Sequence, residues 1–117
     1  MEQKPHSKTT MEWASLKKEA TIFPMYSMRK AWDVLEKEIY GVIAAGGLDH
    51  DMIVRGKLQI GKLTVLDPRL GRLIHSLEYT RLNIESIQSP PTSMILEYIQ
   101  ACERVHRIID SYRKLAS

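Results

Sequence analysis

The residues of this chain with reactive chemistry to offer are four histidines (His6, His50, His75 and His106), one cysteine, Cys102, and a scatter of carboxylates. Cys102 and His106 stand four residues apart, one turn of a helix, where an imidazole can draw a proton from a thiol. A working nucleophile also needs an orienting third group and a cleft, whereas the residues around Cys102 form an apolar stripe. A small buried thiol in a reducing compartment is therefore expected there. No two histidines share the spacing that sets two metal ligands on one helix face, and the triplet Asp49-His50-Asp51 points its side chains in different directions. It reads as a capping cluster at a helix start, so no metal and no cofactor are expected. His75 and His106 are expected at the core edge, beside apolar stripes. Arg69 and His75 follow the arginine-then-histidine order of some small helical ribonucleases, but six residues turn a helix by about 600° and put them on different faces. Gly56-Lys57 and Gly61-Lys62 lack both the spaced glycine and the following Ser or Thr of a phosphate loop. No catalytic constellation emerges, and a non-enzyme is expected.

The chain has 117 residues, 44% of them hydrophobic, which suits one domain with a modest core. The net charge is +3. Only Arg55, Lys57, Lys62, Arg69 and Arg72, against Asp67, form a basic concentration, and nucleic-acid binders usually carry a denser stripe. The polar N-terminus has no apolar segment of a signal peptide, and no apolar run approaches the ~18 residues that span a bilayer. A cytoplasmic protein with no membrane contact is the expectation.

These side chains must be positioned by helices. Residues 1–9 read as a flexible tail, and 10–117 as a single helical domain. Thr9-Thr10 opens a short helix carrying Met11, Trp13, Leu16 and Ala20. Ile22-Phe23-Pro24-Met25-Tyr26 interrupts it. Ser27 then caps a helix to Ala45, with Met28, Ala31, Trp32, Leu35, Ile39, Val42 and Ile43 on one face, stopped by Gly46-Gly47. Residues 49–66 are ambiguous. Ile53, Gly56, Ile60 and Leu63 make a helical seam, while Leu58, Ile60, Leu63 and Val65 alternate as in a hairpin; a helix is favoured because the chain offers no other strand. Asp67-Pro68 caps the next helix, with Leu70, Leu73, Ile74, Leu77, Ile84 and Ile87 as its stripe. Ser89-Pro90-Pro91 breaks the chain, Thr92 or Ser93 caps again, and Ile95, Ile99, Cys102, Val105, Ile109 and Tyr112 recur at helical steps. The fold class is all-α: an antiparallel bundle of four longer helices plus a short N-terminal one.

Leu35, Ile39, the Gly47-Leu48 turn, Ile53, Val54, Ile60 and Leu63 are spaced in a way that resembles the helical hairpin of the small aspartyl-phosphate phosphatases of sporulating bacilli, over about a quarter of the chain. The family's Ser-Gln-Glu-Leu-Asp motif falls here on Lys57-Leu58-Gln59-Ile60-Gly61, without the serine or the aspartate. The resemblance thus implies a helical hairpin and leaves a phosphatase activity as a distant third reading.

The leading functional expectation is a small helical interaction protein, an adaptor, chaperone or inhibitor of a protein partner. Apolar residues outside the stripes (Phe23, Met25, Tyr26, Met52, Val54 and Met94) motivate it, and methionine suits adaptable surfaces. Phe23, Met25 and Tyr26 are the candidate protein-binding residues, and a homodimer is expected to form through that cluster. The alternative is a nucleic-acid-binding regulator or packaging factor using Arg55, Lys57, Lys62, Arg69 and Arg72.

Overall fold

A computed structural model describes residues 5–43, 57–60 and 63–116, with side-chain surroundings for 12–39 and 66–114. Four helices pack together: α1 (Pro5–Glu19), α2 (Pro24–Ile43), α3 (Pro68–Glu85) and α4 (Thr92–Ala116). Strands β1 (Lys57–Ile60) and β2 (Leu63–Leu66) form an antiparallel pair between α2 and α3 in the chain.

Proline is the common opening. Its missing N–H is an orphan at a helix start in any case, and its fixed φ already suits the first turn. Pro5, Pro24 and Pro68 each stand at the first position of a helix, and α4 begins one residue after Pro91. Three sequence expectations change accordingly. The first helix is fifteen residues long and starts inside the segment expected as a tail, rather than at the Thr9-Thr10 pair. Ser27 does not cap α2: it lies one turn inside, its N–H donating to the Phe23 carbonyl at 3.0 Å, and its side chain is fully buried. Thr92 is the first residue of α4, and the Pro91 carbonyl accepts from the Met94 and Ile95 amides at 3.1 and 3.3 Å. The Asp67-Pro68 start is as expected, Asp67 Oδ1 accepting from the Leu70 N–H at 3.0 Å.

A helix through 49–66 is the larger correction. Residues 57–60 and 63–66 are extended, pairing Lys57 with Leu66, Leu58 with Val65, Gln59 with Thr64 and Ile60 with Leu63. Two glycines at about 1 kcal/mol each weigh against the helix, whereas the alternation of Leu58, Ile60, Leu63 and Val65 puts apolar residues opposite one another in a ladder. An isolated hairpin is unstable in water, but this one packs through β1 against α2 and α4. Asp49, His50, Met52, Val54, Arg55 and Lys62 and the Gly46-Gly47 stop lie outside the described residues.

The core joins Trp13, Leu16 and Ala20 of α1, Met28, Ala31, Trp32, Leu35 and Ile39 of α2, Leu70, Ile74, Leu77 and Ile84 of α3, and Ile95, Ile99, Cys102, Val105 and Ile109 of α4. α4 is the hub, in contact with α1, α2, α3 and β1. Two ends define directions. Asp67, before α3, accepts at Oδ2 from the Tyr112 hydroxyl late in α4 at 2.5 Å, and residues 86–91 join the two helices at the other end, so α3 and α4 are antiparallel. Arg29 near the start of α2 meets Glu85 at the end of α3, which makes that pair antiparallel too. Leu73, expected in the core, is 41% exposed. Its position on α3 points it along the α3–α4 seam instead of under α2.

Candidate functional site

The titratable groups gather on α4, and most of them are tied up. Glu103 is buried and salt-bridged to Lys17 of α1 at 2.5 Å and to Arg107 at 2.9 Å. Glu38 of α2 is paired with Arg113 and has an oxygen 3.6 Å from His106 Nε2. His106 is itself buried, its ring edge-on to Trp13 with centroids 5.8 Å apart. These contacts clamp α1 and α2 onto α4. Cys102, the candidate thiol, is wholly buried, and burial pushes its pKa up to about 12, so it stays protonated at neutral pH. His106 reaches toward Glu38, and the thiol has no surface of its own to offer a substrate. Among the described residues no group of three or more His, Cys, Asp or Glu gathers where it could hold a metal. No described helix is long and apolar enough to cross a membrane.

The candidate protein-binding residues divide. Phe23 and Tyr26 are exposed at the α1–α2 corner together with Ile22, and the Lys30 ammonium lies 5.7 Å from the Tyr26 ring centroid. Met25 packs half-buried against the core. Of the basic candidates, Arg69 and Arg72 are exposed side chains on the first turns of α3 and Lys57 stands on β1, while Arg55 and Lys62 are outside the described residues. Positions 57–60, onto which the phosphatase motif falls, are a strand and not the second helix of a hairpin.

A concave feature of the described surface has no counterpart among the sequence motifs. A groove of about 610 Å³ runs between α3 and α4. Its floor is Leu77, Ile84, Tyr98 and Val105, all buried. Its lining positions obey one rule on both helices. On α3 they are 73, 76, 77, 80, 83 and 84, continuing to 87; on α4 they are 94, 97, 98, 101, 104, 105 and 108. Each series repeats every seven residues, as in the seams along which helices pack. Because the helices are antiparallel, Leu73 and Ile108 stand at one end of the groove, Thr80 and Ala101 at its middle, and Ile87 and Met94 at the other end. Both ends are therefore apolar and the middle is lined by small side chains. The rim is neutral on α3 (Ser76 and Asn83) and carries one charge of each sign on α4 (Glu97 and Arg104). The Tyr98 hydroxyl is buried in the floor beside the Cys102 thiol. Burial raises its pKa above the ordinary tyrosine value.

Comparison with protein-family models, with curated proteins and with solved structures finds no match.

Proposed function

We propose that this protein is a non-enzymatic helical interaction protein, and that it acts by holding an amphipathic helix in the α3–α4 groove. The groove carries this reading. Its lining repeats every seven residues for about four turns, the footprint of a helix lying along it and anchoring at i, i+3, i+4 and i+7. Exposed apolar surface rimmed by polar side chains is the usual mark of such a site. Leu73, Ile87 and Met94 are the exposed apolar residues that an occupant covers. Phe23 and Tyr26 at the α1–α2 corner form a second exposed apolar surface.

A photocrosslinking amino acid placed on the rim at Asn83 tests the reading in cells. A polypeptide adduct is expected from Asn83 and is lost when Ala101→Arg blocks the middle of the groove. Circular dichroism of the Ala101→Arg chain checks that the fold is kept. Equal yields from Asn83 and from exposed Lys18 on α1 would remove the groove as the binding surface.

A further inference from the structure

Glu97 and Arg104 stand seven residues apart on the outer side of α4, exposed on one wall of the groove, with Ala101 between them. Elsewhere on this helix charge is matched inside the molecule: Glu103 with Lys17 and Arg107, Asp110 with Lys114, Arg113 with Glu38. Neither Glu97 nor Arg104 makes an ion pair among the described residues. We infer that the helix held in the groove is α4 of a second copy of this chain, seated reciprocally about a two-fold axis that passes close to Ala101. The inference rests on the groove being a helix receptor, and it names the occupant.

A two-fold interface requires each patch to be its own complement: where residue i meets j, j must meet i. Antiparallel pairing of α4 with itself about Ala101 satisfies this three times over. Glu97 of each copy falls within one residue, about 1.5 Å along the axis, of the position opposite Arg104 of the other, a step these long side chains span, giving two ion pairs from one sequence pattern. Met94 falls opposite Ile108 of the second copy, apolar on apolar, at both ends. Ala101 meets its own counterpart at the centre, where a small side chain lets the helix axes approach. A parallel arrangement would instead set Glu97 against Glu97 and Arg104 against Arg104, and like charges face to face are repulsive. The neutral α3 rim, Ser76 and Asn83, places no charge against the incoming helix. The four helices of the two α3–α4 pairs then enclose the exposed apolar residues of the groove.

Sedimentation equilibrium with reciprocal charge reversals tests this arrangement. The wild-type chain is expected to be dimeric at tens of micromolar. Glu97→Arg alone and Arg104→Glu alone should each weaken the dimer by about tenfold or more, since each turns two attractions into two repulsions. The chain carrying both substitutions should recover most of that loss, which only a self-complementary pairing allows. In a Cys102→Ala background, Ala101→Cys should form an intermolecular disulfide under mild oxidation. A mass of 13.5 kDa at those concentrations would overturn the inference. So would a dimer indifferent to the single reversals, or one not rescued by the double. If the wild type is monomeric yet Asn83 still crosslinks to a different polypeptide, the groove stands and the second copy falls. If the dimer persists through Ala101→Arg but is lost with Tyr26→Glu, the α1–α2 corner is the interface.

Discussion

Two side chains settle local questions of sign. Ser27 is fully buried with no hydrogen-bond partner for its hydroxyl among the described residues. A helix cap replaced by alanine costs about 1 kcal/mol, whereas removing a buried, unpaired hydroxyl relieves a desolvation penalty of about 1–3 kcal/mol. Ser27→Ala is therefore expected to raise the chemical-denaturation midpoint, and a lower midpoint would show that the hydroxyl makes a stabilising contact in the core. Asp67 is the opposite case. The Tyr112 hydroxyl holds its carboxyl below the usual range; burial opposes this, and the Leu70 and Arg69 backbone amides add smaller contributions in the same direction as Tyr112. The same hydrogen bond to Asp67 raises the Tyr112 phenol. A carboxylate with a depressed folded pKa stabilises above its unfolded pKa, about 4, and that stability is lost as pH falls through the folded value. A phenol with a raised folded pKa stabilises below about 10 and loses its contribution as pH rises through the folded value. Tyr112→Phe should lower stability across the plateau between those limits and flatten both flanks of a stability-against-pH profile. An unchanged profile would show that the α3–α4 end is held by packing alone.

At the scale of the element, burial divides the α3 stripe into residues that hold the fold and residues that line the groove. Leu77, 7% exposed, should lose about 2–5 kcal/mol on truncation to alanine, as buried leucines do. Leu73 keeps much of its surface in water and should lose well under half as much. Equal losses in urea titrations would mean that both are core. Periodicity found this stripe but not its division, because the angle separating Leu73 from Ile74 becomes meaningful only once α2 is known to lie on one side. Asp67-Pro68 was legible because two independent signals, an acceptor side chain and a proline, coincide at one helix start. Pro5 and Pro24 carried the same signal singly and read as a tail and a break. The hairpin was the poorest reading: two four-residue strands are too short for periodicity to separate from a helical seam, and what sustains them is contact with α2 and α4. The seven-residue recurrence at 73, 80 and 87 and at 94, 101 and 108 was present in the sequence. It acquires meaning only when antiparallel packing lays the two series side by side.

For the whole molecule, association and folding are linked. If the groove is filled by a second copy, mass action stabilises the folded chain and the melting temperature should climb with protein concentration. The Glu97→Arg chain should lose that dependence, and a flat response in the wild type would contradict the dimer. The central place of α4 has a separate consequence, in the timing of synthesis. α1, α2, the hairpin and α3 all leave the ribosome before α4, yet α4 supplies the face against which α1, α2 and α3 bury their stripes. Until Ile95, Ile99, Cys102 and Ile109 emerge, Trp13, Leu35 and Ile74 lack the helix that covers them. A chain ended at Pro91 should accordingly show no cooperative thermal transition, and a sharp transition would demonstrate that α1 to α3 fold unaided. On that expectation, packing of α1 to α3 is a late event, deferred until α4 clears the exit tunnel. The nascent chain meanwhile exposes its future core to whatever chaperones attend it.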